Sequence, residues 1–193
     1  MEKIIITSIL LIAGSLILTG CFHASPASPL NKVQSSPFTN QKDSGGQVKL
    51  TSSAFTDNQP IPALYTCDGN NVNPPFTINN IPANTQSLAL IVDDPDAPAG
   101  DWVHWLVWNI PPTTTEIAQN SIPAGSIQGT TDFGDTKYGG PCPPSGSHRY
   151  QFKLFALDTS LNLPATITKK EFLQAIEGHI LDQTLLVSTY TRK

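Results

Sequence analysis

The run Trp102-Val103-His104-Trp105-Leu106-Val107-Trp108-Asn109-Ile110 is the most informative segment of the 193-residue chain. It is almost entirely apolar and is stopped by Pro111-Pro112, which predicts a β-strand. Strict alternation along the strand would group Trp102, His104, Leu106 and Trp108 on one face, and Val103, Trp105, Val107 and Asn109 on the other. Because both sets are largely apolar, we expect a central strand that is covered on both sides.

Three further strands and one helix are expected around this segment. The strands are predicted at residues 87–92, 149–157 and 184–190. Thr168 and Glu171 form a capping-box pattern, after which residues recur at helical spacing, namely Phe172, Ala175, Ile176, His179 and Ile180. The 17 prolines and 13 glycines favour turns and short strands. The sequence therefore predicts a mainly β domain.

The N-terminus has the features of an export signal. Lys3 precedes an apolar run, residues 4–18, which is too short for a comfortable bilayer span but suits the h-region of a signal peptide. The run ends in Leu18-Thr19-Gly20-Cys21, which looks like a bacterial lipobox, whose cysteine carries the lipid after cleavage. We therefore expect a lipoprotein signal peptide over residues 1–20, a lipidated Cys21 and a membrane-anchored location in the cell envelope, on its periplasmic or extracytoplasmic face. The alternative is an uncleaved membrane anchor with an incidental cysteine.

The composition separates a tether from the folded domain. Residues 21–46 are rich in Ser and Pro and lack an apolar period, so they are expected to be a flexible linker, with the domain over residues 47–193. The formal net charge is -4 and no run of lysine or arginine occurs, which argues against nucleic acid as a partner.

The two remaining cysteines are Cys67 and Cys142. If Cys21 is lipidated, they form an even pair in an oxidising compartment, where structural disulfides form. The alternative is two separate buried thiols, the more common situation in a cytosolic chain.

Two segments combine proline-rich loops with histidines. The first is Asp94-Pro95-Asp96-Ala97-Pro98 with Trp102-Val103-His104-Trp105, and the second is Tyr138-Gly139-Gly140-Pro141-Cys142-Pro143-Pro144 with His148-Arg149-Tyr150. Histidine changes its charge near neutral pH. The paired glycines would let a ligand approach backbone N–H groups, which can bind an anion.

Together the two segments resemble the signatures of the phosphatidylethanolamine-binding protein family, also called Raf kinase inhibitor-like proteins, and most closely its bacterial and archaeal branch. The resemblance spans about residue 48 to the C-terminus. It implies a central antiparallel sheet, a small second sheet and one or two short helices. It also implies a pocket for a phosphate-like anion or a phospholipid headgroup, formed by Asp94, Trp102, His104, Tyr138, Gly140, Pro143, His148 and Tyr150. Prokaryotic members often have cysteines at both positions, which supports a disulfide between Cys67 and Cys142.

An aspartate in an anion pocket requires a compensating charge. The pocket can accept an anion if both histidines are protonated, because a nearby carboxylate favours the imidazolium. Asp94 would then hold one histidine in place. The affinity for the anion should then fall as the pH rises through the histidine range.

Residues near these segments are given structural roles. Asp96 is expected to form an Asx-turn, and Arg149 to form an ion pair. His179 and Trp105 are expected to pack in the core.

The sequence favours a binding protein without catalytic turnover. It has neither H-x-x-x-H nor C-x-x-C zinc spacing and no serine in a nucleophile elbow, so no metal, cofactor or catalytic residue is predicted. The expected partners are a small anionic ligand or headgroup, and the membrane through the N-terminal lipid. The alternative function is an inhibitor or regulator of a protease or another protein partner in the envelope, acting through the same pocket region.

Overall fold

The computed structural model of the protein describes residues 46–192, so the predicted signal peptide, Cys21 and the tether before Gly46 lie outside the described residues. Strands dominate the described part. They are β1 (Lys49–Thr51), β2 (Gln59–Pro60), β3 (Phe76–Asn79), β4 (Ser87–Asp94), β5 (Trp102–Ile110), β6 (Glu116–Ile117), β7 (Ile127–Gln128), β8 (Ser147–Leu157) and β9 (Ile180–Thr191). One α-helix, α1 (Lys169–Ile176), and one 3-10 turn, Ala63–Tyr65, accompany them.

The strands form two sheets, which confirms the mainly β prediction. The larger sheet has the order β2-β9-β8-β4-β5-β7 and the smaller one has the order β1-β3-β6. All pairs are antiparallel except the two-residue pairing of β2 with β9. Every residue of β4 is buried, and β5 and β8 flank it on either side. The predicted site residues of β4, β5 and β8 therefore lie on three adjacent strands.

The larger sheet is covered on both faces, as the apolar character of β5 predicted. One face joins the smaller sheet in a cluster that includes Phe76, Trp105 and Phe152. The other face packs against α1 through Phe172 and Ile176. No helix within residues 46–192 is long and apolar enough to span a bilayer.

A β-bulge changes the direction of the side chains along β5. Val92 and Asp93 are consecutive on β4, but their partners on β5 are Trp105 and Val103. His104 is therefore an extra residue of the bulged strand, and the alternation of side chains inverts there.

The strict alternation predicted for β5 is wrong for this reason. Trp105 and Val107 belong to the cluster beside the smaller sheet, whereas Val103, Leu106 and Trp108 belong to the cluster beside α1. His104 contacts Tyr150, a member of the first cluster, so it does not share a face with Leu106 and Trp108.

The helix is shorter than the sequence pattern suggested. Thr168 and Glu171 form the predicted capping box, but α1 ends at Ile176. Gly178 adopts φ 82°, a left-handed conformation that favours glycine and reverses the chain. Ile180 then begins β9, so the last strand is longer than predicted.

The expected packing of His179 is wrong because this residue lies beyond the helix. Its ring is exposed and its Nδ1 lies 2.8 Å from a carboxylate oxygen of Asp158.

Cys67 and Cys142 form a disulfide with a Cα–Cα distance of 5.4 Å, which confirms that prediction. The bond joins the loop after the 3-10 turn to residues 138–144, which we call the glycine–proline segment. A backbone hydrogen bond of 3.1 Å from the Cys67 N–H to the Pro141 carbonyl lies beside it. The glycine–proline segment is therefore fixed to the body of the domain.

Candidate functional site

A buried carboxylate–imidazole pair lies at the end of β4. The Nδ1 atom of His148 is 2.7 Å from Oδ2 of Asp94, and the two side chains are 9% and 5% exposed. The other oxygen of Asp94 accepts the backbone N–H of Asp96 at 2.9 Å. Both carboxylate oxygens are thus engaged, and Asp94 orients the ring of His148. The expectation that Asp94 would hold one histidine is met at His148.

His104 is oriented by the backbone of the glycine–proline segment. Its Nδ1 is 2.6 Å from the carbonyl oxygen of Gly139, so Nδ1 carries a proton and donates it to that carbonyl. The backbone of Gly140 also lies near the ring, and no direct hydrogen bond of its Nε2 is seen among residues 46–192. Burial lowers the pKa of His104, and the opposing effects of the Gly139 carbonyl and the Asp94 charge do not reverse the shift. The neutral imidazole is therefore the favoured form in the free protein.

Burial therefore opposes the protonation of His104 that binding of an anion was expected to require. Residue spacing indicated a nearby carboxylate, but it did not reveal that this ring is 3% exposed. Desolvation disfavours the imidazolium more than the Asp94 charge favours it.

Tyr150 is a neighbour of both histidines. Its ring meets that of His104 edge-to-face, with the ring centroids 5.2 Å apart, and it follows His148 by two residues on the same face of β8. Its hydroxyl is fully buried and has no well-aligned hydrogen-bond partner in the described part of the chain. Burial and the nearby Asp94 charge raise its pKa, so the hydroxyl keeps its proton. Asp94 and the Cys142 backbone lie close to the hydroxyl, but neither is well aligned with it, which makes the hydroxyl a candidate contact for a ligand.

Phe133 is a part of the site that the sequence analysis did not identify. Its ring contacts His104 at 5.2 Å and Trp102 at 5.6 Å between centroids, both edge-to-face. It is 46% exposed, so it forms an aromatic wall that reaches the surface. Phe133 lies outside both signature segments, so the residues that carried the resemblance gave no signal for it.

The glycines of the second segment have a packing role rather than an anion-binding one. The Gly139 N–H donates to the His104 carbonyl at 2.9 Å, and the Gly140 N–H donates to Oδ1 of Asn71 at 2.6 Å. A Cβ on Gly139 would clash with the Phe133 ring, and one on Gly140 would lie 2.5 Å from the Tyr65 carbonyl oxygen. The expectation that these two amides meet an anion is wrong, because both are already bonded.

Two more of the predicted site residues, Tyr138 and Pro143, lie in residues 138–144, and the core residue Trp105 packs against Tyr138. Tyr138 is buried, donates its hydroxyl to the Tyr65 carbonyl at 3.0 Å and packs edge-to-face on Trp105. Trp105 is 1% exposed, as expected for a core residue. Pro143 is buried directly after the disulfide. These three residues support the segment that holds His104.

Asp96 and Arg149 form an ion pair beside the site, which confirms the prediction for Arg149. The guanidinium donates to both carboxylate oxygens, at 2.9 and 2.6 Å, and the backbone N–H of Arg149 adds a third bond. Arg149 holds the pKa of Asp96 at about 2. The Asx-turn expected of Asp96 is formed by Asp94 instead, whose carboxylate accepts the N–H two residues on. Within residues 46–192 no three His, Cys, Asp or Glu side chains are grouped as metal ligands would be.

Residues 51–191 match the sequence profile of the phosphatidylethanolamine-binding proteins. The chain belongs to the phosphatidylethanolamine-binding protein family. A UPF0098 protein of Methanothermobacter thermautotrophicus is 47% identical over 150 residues, which cover 75% of this chain and 99% of the relative. A UPF0098 protein of Pyrococcus horikoshii is 47% identical over 161 residues, covering 77% and 81%.

Solved structures of the family have the same fold. A putative phosphatidylethanolamine-binding protein homologue from Chlamydia trachomatis has a TM-score of 0.73 and 38% identity. The Escherichia coli protein YbcL, described as a member of the mammalian family, has a TM-score of 0.72 and 30% identity. Each alignment covers 76% of this chain and 99% of the solved one. The family expected from the two signatures is thus confirmed.

Proposed function

We propose that the site formed by Asp94, His104, His148 and Tyr150 binds a phosphate-like anion, either free or as a phospholipid headgroup, without turnover. The observation that carries the proposal is the 2.7 Å contact between His148 and Asp94. Because Nδ1 of each histidine is committed to a protein acceptor, each ring has its Nε2 left for a ligand. The Tyr150 hydroxyl adds a buried donor that has no well-aligned partner among the described residues.

Binding in such a site is coupled to proton uptake. His104 is favoured as the neutral imidazole in the free protein, with Nε2 as an acceptor that would repel an anion. A bound anion favours the imidazolium, so the pKa of His104 is higher in the complex than in the free protein. Between these two pKa values binding takes up a proton, and the affinity falls about tenfold per pH unit for one proton. Above the pKa of the complex the affinity no longer depends on this group.

Calorimetric titration with inorganic phosphate and with phosphoethanolamine tests the proposal. The wild type should bind with an affinity that falls from mildly acidic to mildly alkaline pH, and it should take up protons when measured in buffers of different ionisation enthalpy. His104→Ala should weaken binding about tenfold or more. His179→Ala is the matched control, because that histidine is exposed and pairs with Asp158 away from the site. Equal loss in both variants, or a flat pH profile, would contradict the proposal.

The two ligands separate the sources of the anion. Tighter binding of phosphoethanolamine than of phosphate would indicate a headgroup, and equal binding would indicate the phosphate alone. Recovery of intact phosphoethanolamine after incubation, followed by phosphorus NMR, tests the absence of turnover. Release of inorganic phosphate would show that the protein is an enzyme.

We also propose that the protein is an exported lipoprotein of the cell envelope, on the basis of Leu18-Thr19-Gly20-Cys21 after a short apolar run. Mass spectrometry of the mature protein should find an N-terminal lipid-modified Cys21. Cys21→Ala should abolish the modification and move the protein out of the membrane fraction. An unmodified N-terminus at Met1 would contradict this part of the proposal.

A further inference from the structure

A groove of about 260 Å³ lies beside the histidine site and contains none of its four residues. It is called here the amide groove, and its wall includes Asn71, Trp105, Asn120, Gln128, Lys137 and Tyr138. Tyr138 is also the neighbour of Gly139, the residue that binds His104. The groove and the histidine site therefore share one short segment of chain, Tyr138–Gly139.

Asn71 presents an amino group to this groove. Its Oδ1 accepts the Gly140 N–H at 2.6 Å. A backbone N–H requires an acceptor, so the oxygen of the side-chain amide must lie on that side and the NH₂ group at the other end. This amino group has no hydrogen-bond partner among residues 46–192. Asn71 is held in the left-handed conformation with φ 55°, which asparagine and aspartate tolerate better than most residues.

Gln128 is oriented in the same way. Its Oε1 accepts the indole N–H of the buried Trp105 at 2.7 Å. The indole is only a donor, so the free end of the amide is again NH₂. Two amides of the wall are thus fixed by their own acceptor bonds, and each leaves its amino group unbonded within the described residues and open to a ligand.

A positive charge in the wall of the groove also favours an anionic ligand, as the two amino groups do. Lys137 lines the groove and its side chain is 73% exposed. Its ammonium is 3.2 Å from Asp135, whose carboxylate is itself 39% exposed, so this surface pair is weak. By contrast Asn73 has both amide ends bonded within the protein and offers nothing to a ligand.

We propose that the amide groove is a second binding site, which takes the carboxylate of a small ligand between the amino groups of Asn71 and Gln128 and the ammonium of Lys137. The volume suits a ligand the size of a dipeptide, with the Asn120 side chain and the exposed Ile122 at the wall. The carboxylate can come from a peptide C-terminus or from a simple organic acid. The site does not depend on the anion site at His104.

Titration followed by the indole N–H resonance of Trp105 tests the proposal, because that N–H is bonded to Gln128. L-Alanyl-L-alanine should shift the resonance saturably. The same dipeptide with an amidated C-terminus should bind at least about tenfold more weakly. Acetate separates the sources: binding as tight as that of the dipeptide indicates a simple carboxylate, and weaker binding indicates a peptide C-terminus. Absence of a saturable shift with both carboxylates would overturn the proposal, as would equal binding of the amide.

Three variants locate the carboxylate. Gln128→Glu and Asn71→Asp keep the acceptors for Trp105 and Gly140 but replace the amino groups with oxygen, so each should weaken dipeptide binding about tenfold or more. Lys137→Gln changes an exposed side chain and should weaken binding without a risk to folding. His104→Ala is the control and should leave dipeptide binding unchanged while it weakens phosphate binding. Wild-type affinity in all three groove variants would overturn the proposal, even if phosphate binding fails.

Discussion

Asp93 and Asp94 are consecutive residues at the end of β4, and their carboxylates pair with different kinds of side chain on opposite sides of the sheet. Asp93 is 0% exposed and its Oδ2 accepts from the ammonium groups of Lys153 and Lys169. Lys169, the first residue of α1, also pairs with Asp101 in the loop before β5. Asp94 faces the other side of the sheet and pairs with the imidazole of His148. One carboxylate therefore joins secondary-structure elements, and the other orients a titratable ring.

The chemistry of the partners explains the difference. An ammonium group is a point charge, and beside a buried carboxylate it neutralises the negative charge of that carboxylate. An imidazole has two nitrogens, so a bond from Nδ1 to Asp94 fixes the ring and leaves Nε2 for another molecule. Burial also lowers the pKa of Lys153, which shows the cost of holding an ammonium beside Asp93. Asp93 should matter most for stability and Asp94 most for binding.

The largest expected effect is the loss of the Asp93 carboxylate. Asp93→Asn leaves the mostly buried Lys153 ammonium without its Asp93 partner and should lower the free energy of unfolding by about 3–5 kcal/mol. Asp94→Asn should cost less stability, because an imidazole, unlike an ammonium group, need not carry a charge, but it should weaken phosphate binding at least as much as His104→Ala does. Urea unfolding at neutral pH and phosphate calorimetry on both variants check this. Equal losses of stability would remove the distinction between the two aspartates.

The second-largest expected effect is the loss of stability when the disulfide is removed. Replacing both Cys67 and Cys142 with serine should lower the free energy of unfolding by about 2–4 kcal/mol, because the bond closes a loop of 75 residues. Phosphate affinity should fall much less, since the Tyr138 hydroxyl and the Gly140 N–H still hold the segment. Thermal unfolding and calorimetry of the double variant test this. A loss of binding with little loss of stability would show that the disulfide shapes the site directly.

Substitution of Tyr150, which lies near Asp94, should weaken phosphate binding with little change in stability. Tyr150→Phe removes a buried hydroxyl without an aligned partner in the described residues, so the free energy of unfolding should change by less than about 1 kcal/mol or increase. Phosphate affinity should fall about tenfold or more, the value of one hydrogen bond to a charged group. Urea unfolding and calorimetry measure the two quantities. A large loss of stability would show that the hydroxyl has a structural partner.

The smallest effect is expected at the exposed ion pair. Asp96→Asn removes the partner of Arg149, whose side chain is 57% exposed, and should cost less than about 1 kcal/mol near neutral pH. Because Arg149 holds the pKa of Asp96 at about 2, below its unfolded value, this contribution is present above the unfolded pKa. It is lost as the pH falls through about 2. Urea unfolding of both proteins at pH 7 and in acid should show their difference shrinking in acid.

Much of the architecture was predictable because it depends on local pattern. The bounds of β5 follow from an apolar run between a loop and two prolines, and the start of α1 follows from the capping box. The end of α1 was not predictable from periodicity, because His179 and Ile180 continue the apolar spacing although Gly178 reverses the chain. Spacing also could not reveal that Phe133 covers His104.

The sequence by itself determined the family, the main strands, the cysteine pair and the four side chains of the candidate site, because these follow from residue type and order. Only the tertiary structure decided which histidine pairs with Asp94, the bulge that turns His104 toward Tyr150, and the bonds that already occupy the Gly139 and Gly140 amides. The physical reason is that register, burial and hydrogen-bond satisfaction depend on neighbours distant in the chain. A depressed pKa at His104 is a property of that packing, and the residue alone does not carry it.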